Sequence, residues 1–130
     1  MGLKIELKPC ERIIVGGSVI TNDDRRTRLM IEGDAPILRE KDILTPQTAD
    51  TPCKRIYLAI QIMYFAQDPK PHHEVYFELV NNVVKAAPST RSYLDRINNH
   101  ILAGSFYKAL KEAHLLIHYE EQLVTHSKTT

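Results

Sequence analysis

The chain has 130 residues, of which 43% are hydrophobic and 25% are charged, and its formal net charge at pH 7 is +1. This length predicts one domain, or one domain with a small appendage, and this composition is typical of a globular protein rather than a disordered or fibrous one. The near-neutral balance excludes the strongly basic class of nucleic-acid binders, so any nucleic-acid site has to come from locally sorted charge.

The first 46 residues are predicted to form a small antiparallel β-sheet or barrel of about five short strands. Gly16–Gly17 is a strong signal for a two-residue hairpin loop between two hydrophobic runs. A unit of this size is near the lower limit of about 40 residues for a self-sufficient core, so we expect it to pack on helices, on a second copy, or on both. The predicted strands are Leu3–Lys8, Ile13–Val15, Val19–Ile20, Leu29–Ile31 and Ile37–Lys41.

Residues 47–130 are predicted to form about four helices packed on the sheet, which makes the fold α+β and the chain one compact unit. Thr51–Pro52 has the residue types of an N-cap followed by a first helical position. The first helix is hydrophobic on nearly all sides, which predicts that it is the central, most buried element. Asp68–Pro71 and Pro88 are expected to end the first and second helices, and Gly104 to end the third.

The sequence also predicts a cytoplasmic protein. Its hydrophobic runs are shorter than the roughly 20 residues that span a bilayer. The alternating, charged start Met1–Glu6 predicts no secretory signal. Without export, the two cysteines, Cys10 and Cys53, are expected to be free thiols in a reducing compartment.

No group of residues in the sequence predicts catalysis, a metal or a cofactor. His114 and His118 have the i, i+4 spacing of a helical metal pair, but Leu-Leu-Ile lies between them and no third ligand is evident. Histidines on a helix surface are therefore the expected interpretation. The serines lack the flanking residues of a nucleophile elbow, and Gly16–Gly17 lacks the lysine of a phosphate-binding loop. We expect a protein that is not an enzyme.

Basic residues in the strand region form the candidate binding surface. Alternation along the fifth predicted strand places Arg39 and Lys41 on one side of it, where cations can grip another chain's backbone or phosphates. The turn 22–28 carries three arginines and is the densest candidate for phosphate contact. A solvated face of mixed charge is the alternative, because the first 44 residues hold eight basic and eight acidic side chains. The basic set is Lys4, Lys8, Arg12, Arg25, Arg26, Arg28, Arg39 and Lys41.

Five uncommon strings are spread over nearly the whole chain, namely Leu7–Ile13, Val19–Asn22, Leu38–Ile43, Ala49–Tyr57 and Tyr107–Lys111. In this order they resemble the FlbT family, the flagellum biosynthesis repressors of alphaproteobacteria. The resemblance implies a cytoplasmic regulator of flagellin synthesis that acts after transcription, through the 5′ untranslated region of flagellin mRNA. It also implies action alongside the small protein FlaF. The sign of regulation stays open, because relatives repress in some cases and activate in others.

A second pattern covers the first 44 residues. It consists of an opening strand, Glu11 before a hydrophobic run that ends at Gly16, and Ala35–Pro36 before a strand that contains Arg39–Glu40. This pattern distantly resembles the carbon-storage regulator CsrA, a small RNA-binding protein. The resemblance implies that the opening and final strands meet across a dimer, where basic residues clamp a GGA motif in RNA.

The resemblance to CsrA also implies roles for single residues. Arg39 matches the key arginine of the final strand, and Lys8 matches one of two consecutive arginines in the first strand. Leu7 replaces the other arginine and Cys10 stands where a glycine is usual, so the surface is less basic and GGA specificity stays open. With the local charge pattern, the predicted RNA-binding residues are Lys4, Lys8, Arg25, Arg26, Arg28, Arg39 and Lys41. The predicted dimer interface places Ile5 and Leu7 of one chain beside Ile37 and Leu38 of the second copy.

Two hypotheses from different classes result. The first is a translational regulator that binds the leader of flagellin mRNA through the sheet. The second is a protein-interaction adaptor or chaperone-like module that binds flagellin or FlaF through the helices and uses the sheet only for dimerisation. The basic strand and the two resemblances motivate the first hypothesis, and the near-neutral charge and the large hydrophobic helical half motivate the second. We expect a homodimer, no cofactor and no membrane association.

Overall fold

The computed structural model describes residues 2–129, and side chains up to residue 125, as five strands followed by four α-helices. The α+β fold predicted from the sequence is confirmed. The strands are β1 Gly2–Leu7, β2 Arg12–Val15, β3 Ser18–Thr21, β4 Thr27–Glu32 and β5 Ile37–Arg39. The helices are α1 Pro52–Phe65, α2 His73–Ala86, α3 Arg91–Leu102 and α4 Phe106–Thr129. The chain divides into a β unit that ends at Ile43 and a helical unit that begins at Leu44.

The strands of the β unit form two antiparallel sheets. One is a ribbon of β1 and β4, and the other places β2 between β3 and β5. The predicted hairpin is confirmed, since Val15 pairs with Ser18 across the loop. Gly16 has φ +59° in that loop, a conformation that glycine adopts without steric cost. Its N–H donates to the carbonyl oxygen of Pro36 at 2.8 Å, which ties the hairpin to the residue before β5.

The core of the β unit is small and is supplied mainly by β1 and β2. Ile5, Leu7 and Ile13 are buried in one cluster. They are buried because odd positions of β1 point to the same side of the ribbon, as the alternation in the sequence predicts. The half-buried side chains packed against this cluster are Val15, Leu29, Ile31 and Ile37.

β5 is shorter than predicted. It ends at Arg39, and Glu40–Asp42 forms a 3-10 turn that Ile43 closes by donating its N–H to the Glu40 carbonyl oxygen at 3.2 Å. The prediction that Arg39 and Lys41 lie on one side of a strand was therefore wrong. Successive side chains of a 3-10 turn are rotated by about 120°, so they do not alternate between two faces.

α1 begins where the sequence predicts and packs against both α2 and α4. The hydroxyl oxygen of Thr51 accepts the N–H of Lys54 at 3.2 Å, and proline follows at the first helical position. The buried Gln61 bonds both backbone groups of Leu44, donating to its oxygen at 3.0 Å and accepting its N–H at 2.9 Å. α1 is predicted to be the central, most buried element, and seven of its 14 residues are buried, whereas Ile62 is 46% exposed.

The remaining helix ends follow the local signals of the sequence. α2 ends at Ala86, before Pro88, and Gly104 follows α3 with φ +74°, as a glycine at this position often does. The described helices include none with both the length and the hydrophobicity of a membrane span.

Candidate nucleic-acid interface

The outer face of the β1–β4 ribbon carries basic side chains. Lys4 lies opposite Met30 and Glu6 lies opposite Arg28, so strand alternation places these four side chains on the same face. They border an open depression of about 440 Å³. Two of the predicted RNA-binding residues, Lys4 and Arg28, therefore share a surface, and Met30 adds an exposed hydrophobic side chain to it.

Three arginines converge on Glu6. Arg26 Nη1 donates to Glu6 Oε1 at 2.9 Å, and Arg28 faces Glu6 across the ladder. Arg39 Nη2 donates to the main-chain oxygen of Glu6 at 2.6 Å. The hydrogen bond and charge of Arg26, with smaller effects of Arg28 and Arg39, hold the pKa of Glu6 below its usual value. We call Lys4, Glu6, Arg26, Arg28 and Arg39 the Glu6 cluster.

Arg39 is positioned by two acceptors. Besides the Glu6 carbonyl oxygen, its Nη2 lies 3.5 Å from Glu11 Oε2. Glu11 also accepts the backbone N–H of Lys8 at 2.9 Å, and this hydrogen bond, with the charges of Arg39 and Lys8, lowers the pKa of Glu11. Arg39 Nε is buried without a hydrogen-bond partner among the described groups. The guanidinium is thus oriented through its Nη2 group.

The other three predicted RNA-binding residues do not belong to the cluster. Lys8 follows β1, Arg25 lies in the turn between β3 and β4, and Lys41 is exposed in the 3-10 turn. Asn22 shapes the turn around Arg25, because its Nδ2 donates to the carbonyl oxygens of Lys8 and Arg25 at 2.8 Å each. The arginine-rich turn is therefore divided: Arg26 and Arg28 reach the ribbon face, while Arg25 remains at the tip.

Three of the four side chains predicted at a dimer interface are buried within one chain. Ile5, Leu7 and Leu38 are 6%, 1% and 3% exposed, and Ile37 is half-buried. β1 pairs with β4 and β5 pairs with β2 in the same chain. Pairing of the opening and final strands across two copies stays a prediction.

Two features of this surface were missed by sequence reasoning. The acidic residues Glu6 and Glu11 were treated as diluting the positive charge, whereas they position the arginines. Cys10 has φ +63°, in the left-handed region that favours glycine, and its N–H donates to the Asp23 carbonyl oxygen at 2.8 Å. The glycine that is usual at this position in the CsrA pattern was the signal for that conformation.

The helical unit holds a second concave surface. Ends of α1, α2 and α4 border a mostly hydrophobic groove of about 680 Å³, with Cys53, Val83 and Val124 among its lining. The Glu120 carboxylate accepts the Cys53 N–H at 3.1 Å and the Thr51 hydroxyl at 2.5 Å. Burial and the Glu120 charge raise the pKa of the Cys53 thiol to about 12, so it is neutral rather than nucleophilic. The sequence pattern did not predict this groove.

The two histidines with metal-like spacing have other neighbours. The ring of His114 lies 5.7 Å from that of Tyr57, and His118 Nδ1 is 3.9 Å from Glu121 Oε2. Within the described residues, no three His, Cys, Asp or Glu side chains are grouped so that they could hold a metal ion.

Known proteins match this chain over almost its full length. A family model described as "Flagellar protein FlbT" matches residues 3–124. The "Probable flagellum biosynthesis repressor protein FlbT 1" of Bradyrhizobium diazoefficiens is 59% identical over 124 residues, which cover 95% of this chain and 85% of that protein. The "Probable flagellum biosynthesis repressor protein FlbT" of Rhodopseudomonas palustris is 52% identical over 125 residues, covering 96% and 99%.

A more distant relative extends the match. The "Flagellum biosynthesis repressor protein FlbT" of Caulobacter vibrioides is 33% identical over 129 residues, which cover 97% of this chain and 92% of that protein. No solved structure gives a significant match. The resemblance found in the five sequence strings is confirmed, and the chain belongs to the FlbT family of flagellar proteins.

Proposed function

We propose that this protein is a cytoplasmic, post-transcriptional regulator of flagellin synthesis that binds the 5′ untranslated region of flagellin mRNA through its β unit. The observation that carries the proposal is the Glu6 cluster, in which Arg26 bonds the Glu6 carboxylate, Arg39 bonds the Glu6 main-chain oxygen, and Lys4 and Arg28 share the face of Glu6. The names of the relatives, flagellum biosynthesis repressors, support a regulatory role.

The chemistry of the cluster suits phosphates. A guanidinium offers several N–H donors in a plane and binds phosphate oxygens in pairs. Glu6 pairs with Arg26 and Glu11 pairs with Arg39, so the four cations exceed their two carboxylate partners by two charges. A phosphodiester therefore meets cations that are already positioned. Binding of this kind releases counterions and weakens steeply as salt rises.

We propose further that two copies pair through β1. Among the described strands, β1 has β4 as its one hydrogen-bonded neighbour, so its second edge has backbone groups available for pairing. Leu3, on the β1 face opposite to the Glu6 cluster, is 50% exposed, and a strand added beside β1 would lie next to it. Such a symmetric contact would also place two Glu6 clusters in one assembly.

The test is fluorescence anisotropy of a labelled flagellin leader with the full-length protein over a range of salt concentrations. Combined replacement of Arg26, Arg28 and Arg39 by alanine is expected to remove most of the affinity and to flatten the salt dependence. Arg12→Ala is the matched control, because this exposed arginine pairs with Glu40 at 3.1 Å and is outside the cluster. Equal affinities of the triple variant and the control would contradict the proposal. Light scattering of the same samples tests the dimer.

The groove of the helical unit favours a second candidate function, an adaptor that binds flagellin or FlaF. A volume of about 680 Å³ with mostly hydrophobic lining is typical of binding sites rather than of bare surface. Recovery of flagellin or FlaF from nuclease-treated lysate, little affected by salt and lost in Val124→Asp, would support the adaptor. Val124 is suited to this test because it lines the groove and is 49% exposed.

A further inference from the structure

The β unit has charge for RNA but no ring on which a base can stack. All nine aromatic residues, six tyrosines and three phenylalanines, lie between Tyr57 and Tyr119. Proteins that bind single-stranded nucleic acid commonly combine cations with exposed aromatic rings. An RNA site limited to the Glu6 cluster would therefore lack one of the two usual components.

We propose that the start of α4, around Tyr107, is a base-stacking site for single-stranded RNA. This inference rests on the proposed function, since it concerns the same class of ligand. Tyr107 is 48% exposed, whereas the other eight aromatic side chains are buried or half-buried. It lies in the first turn of α4, where its ring centroid is 6.0 Å from that of Tyr64, with the planes tilted by 42°. The ring thus contacts Tyr64 and is about half exposed.

Cations flank this ring. Lys111 Nζ lies 5.0 Å from the centroid of the Tyr107 ring, and Lys108 is exposed in the adjacent position of the helix. The segment 106–111 contains no acidic residue. Glu112, the next residue, faces α3, where it accepts from Arg96 at 3.1 Å. The surface around Tyr107 is therefore cationic.

The same face continues along α4. Lys111, His114 and His118 follow Tyr107 at i+4, i+7 and i+11, a spacing that keeps side chains on one side of a helix. The contact of His114 with Tyr57 shows that this side runs beside α1. An extended strand of RNA along this side would place a base on Tyr107 and successive phosphates near the lysines. The contact of Lys111 with the ring is exposed and weak, so the ammonium can move to a phosphate when a base takes its place.

A simpler role for Tyr107 is packing against Tyr64, and the choice of variants separates the two roles. Tyr107→Leu keeps a hydrophobic side chain against Tyr64 but removes the ring, while Tyr107→Phe keeps the ring. Binding of labelled oligouridine and of the flagellin leader is measured by anisotropy with the full-length protein. We expect Tyr107→Leu to weaken binding by about 5- to 100-fold, and Tyr107→Phe to stay within about twofold of the unmodified protein. Lys111→Ala should reduce the salt slope by roughly one phosphate contact, and Lys85→Ala on α2 should leave it unchanged.

The outcomes distinguish this inference from the function on which it rests. Unchanged RNA affinity in Tyr107→Leu, with affinity lost in Arg28→Ala, overturns the stacking site and leaves the Glu6 cluster as the RNA surface. Absence of RNA binding by the unmodified protein overturns both. A loss of affinity in the leucine variant that is accompanied by a lower melting temperature would assign Tyr107 to packing and overturn the stacking site. Loss of RNA affinity in the leucine variant alone, at an unchanged melting temperature, supports the stacking site.

Discussion

The β unit and the helical unit differ in how much hydrophobic surface supports them. Of the described side chains before residue 44, the buried hydrophobic ones are Ile5, Leu7, Ile13 and Leu38; all others lie in the helical unit. The β unit contributes three ion pairs between different elements, Arg12–Glu40, Arg26–Glu6 and Arg39–Glu11. The side chains of the first two pairs are 42–63% exposed, so these two pairs add little stability.

This difference indicates that the two units have different roles. The ion pairs of the β unit orient arginines on its surface and are candidates for exchange with an anionic ligand. The helical unit has a core large enough to keep a hydrophobic groove and an exposed ring without loss of the fold. The stability of the β unit should therefore fall with a single substitution in its small core. The stability of the helical unit should fall only with substitutions at the centre of its larger core.

The largest expected effect is that of Ile60→Asp in the helical unit. Ile60 is fully buried on α1, so the variant places an unpaired carboxylate among hydrophobic side chains. The cost is several kcal/mol, a large part of a total stability of typically about 5 to 15 kcal/mol. We expect loss of soluble expression, measured as yield and as helical circular dichroism.

The control for this change lies on the same helix. Ile62→Asp makes the same substitution at a position that is 46% exposed, where water can solvate the carboxylate. Its yield and melting temperature should stay close to those of the unmodified protein. Equal damage by both variants would show that the exposed face of α1 is covered in solution.

Ile13→Ala tests the small core of the β unit. Ile13 is fully buried, on the central strand of its sheet, beside Ile5 and Leu7. Truncation of a buried isoleucine costs about 2 to 5 kcal/mol. Amide hydrogen exchange should show β-unit amides losing protection before those of the helical unit. Val19→Ala, at a 63% exposed position of β3, is the control and should leave exchange unchanged.

The order of elements was predictable because its signals are local. Strand alternation, the Gly16–Gly17 loop and the Thr51–Pro52 cap each depend on a few neighbouring residues, and each was confirmed. Local signals failed at Lys41, because the residues around it carry no sequence signal for the 3-10 turn that the Ile43 N–H closes on Glu40. The exposure of Ile62 was missed because helix periodicity does not show which faces have a neighbour.

The site was less predictable than the fold, because its parts meet only after folding. Glu6 lies on β1, Arg28 on β4, and Arg39 at the end of β5. Glu6 and Arg28 come together because β1 pairs with β4 inside one chain. No short stretch of a single sequence shows which distant strands pair. Residue types alone predict a set of seven RNA-binding residues, and the structure divides that set into four that belong to the Glu6 cluster and three that lie outside it.

Arg39→Ala tests whether the charge of Arg39 contributes to RNA binding by the β unit. We expect weaker binding of a flagellin leader by about 1 to 3 kcal/mol, the usual value of one charge-assisted contact. The fold should survive, since Arg39 lies at the end of β5 and is partly exposed. A gel-shift titration measures the affinity, and Arg12→Ala is the matched control. Unchanged affinity in a folded Arg39→Ala protein would remove this residue from the site.

The dependence of stability on pH below about 4.5 tests the role of Glu6 and Glu11. Both carboxylates have a folded pKa below the usual 4.5, caused first by the Arg26 hydrogen bond for Glu6 and by the Lys8 N–H for Glu11. A lowered folded pKa contributes stability above about pH 4.5 that is lost as pH falls through the folded value. We expect β-unit amides to lose protection in this range. The Glu6 side chain is 47% exposed, so its share of the loss should be small. The loss should be absent from the double variant Glu6→Gln, Glu11→Gln.

The smallest expected effect is a gain, in Cys10→Gly. Cys10 has φ +63°, where a side chain costs about 1 to 2 kcal/mol and glycine costs nothing. Glycine loses more backbone entropy on folding, by about 0.5 to 1 kcal/mol, so a net stabilisation of up to about 1 kcal/mol is expected. Thermal denaturation measures it, with Cys10→Ala as the control, since alanine removes the thiol but keeps the strained side chain. The alanine variant should have the same melting temperature as the unmodified protein. An equal gain in melting temperature in the glycine and alanine variants would assign the effect to loss of the thiol instead of the backbone.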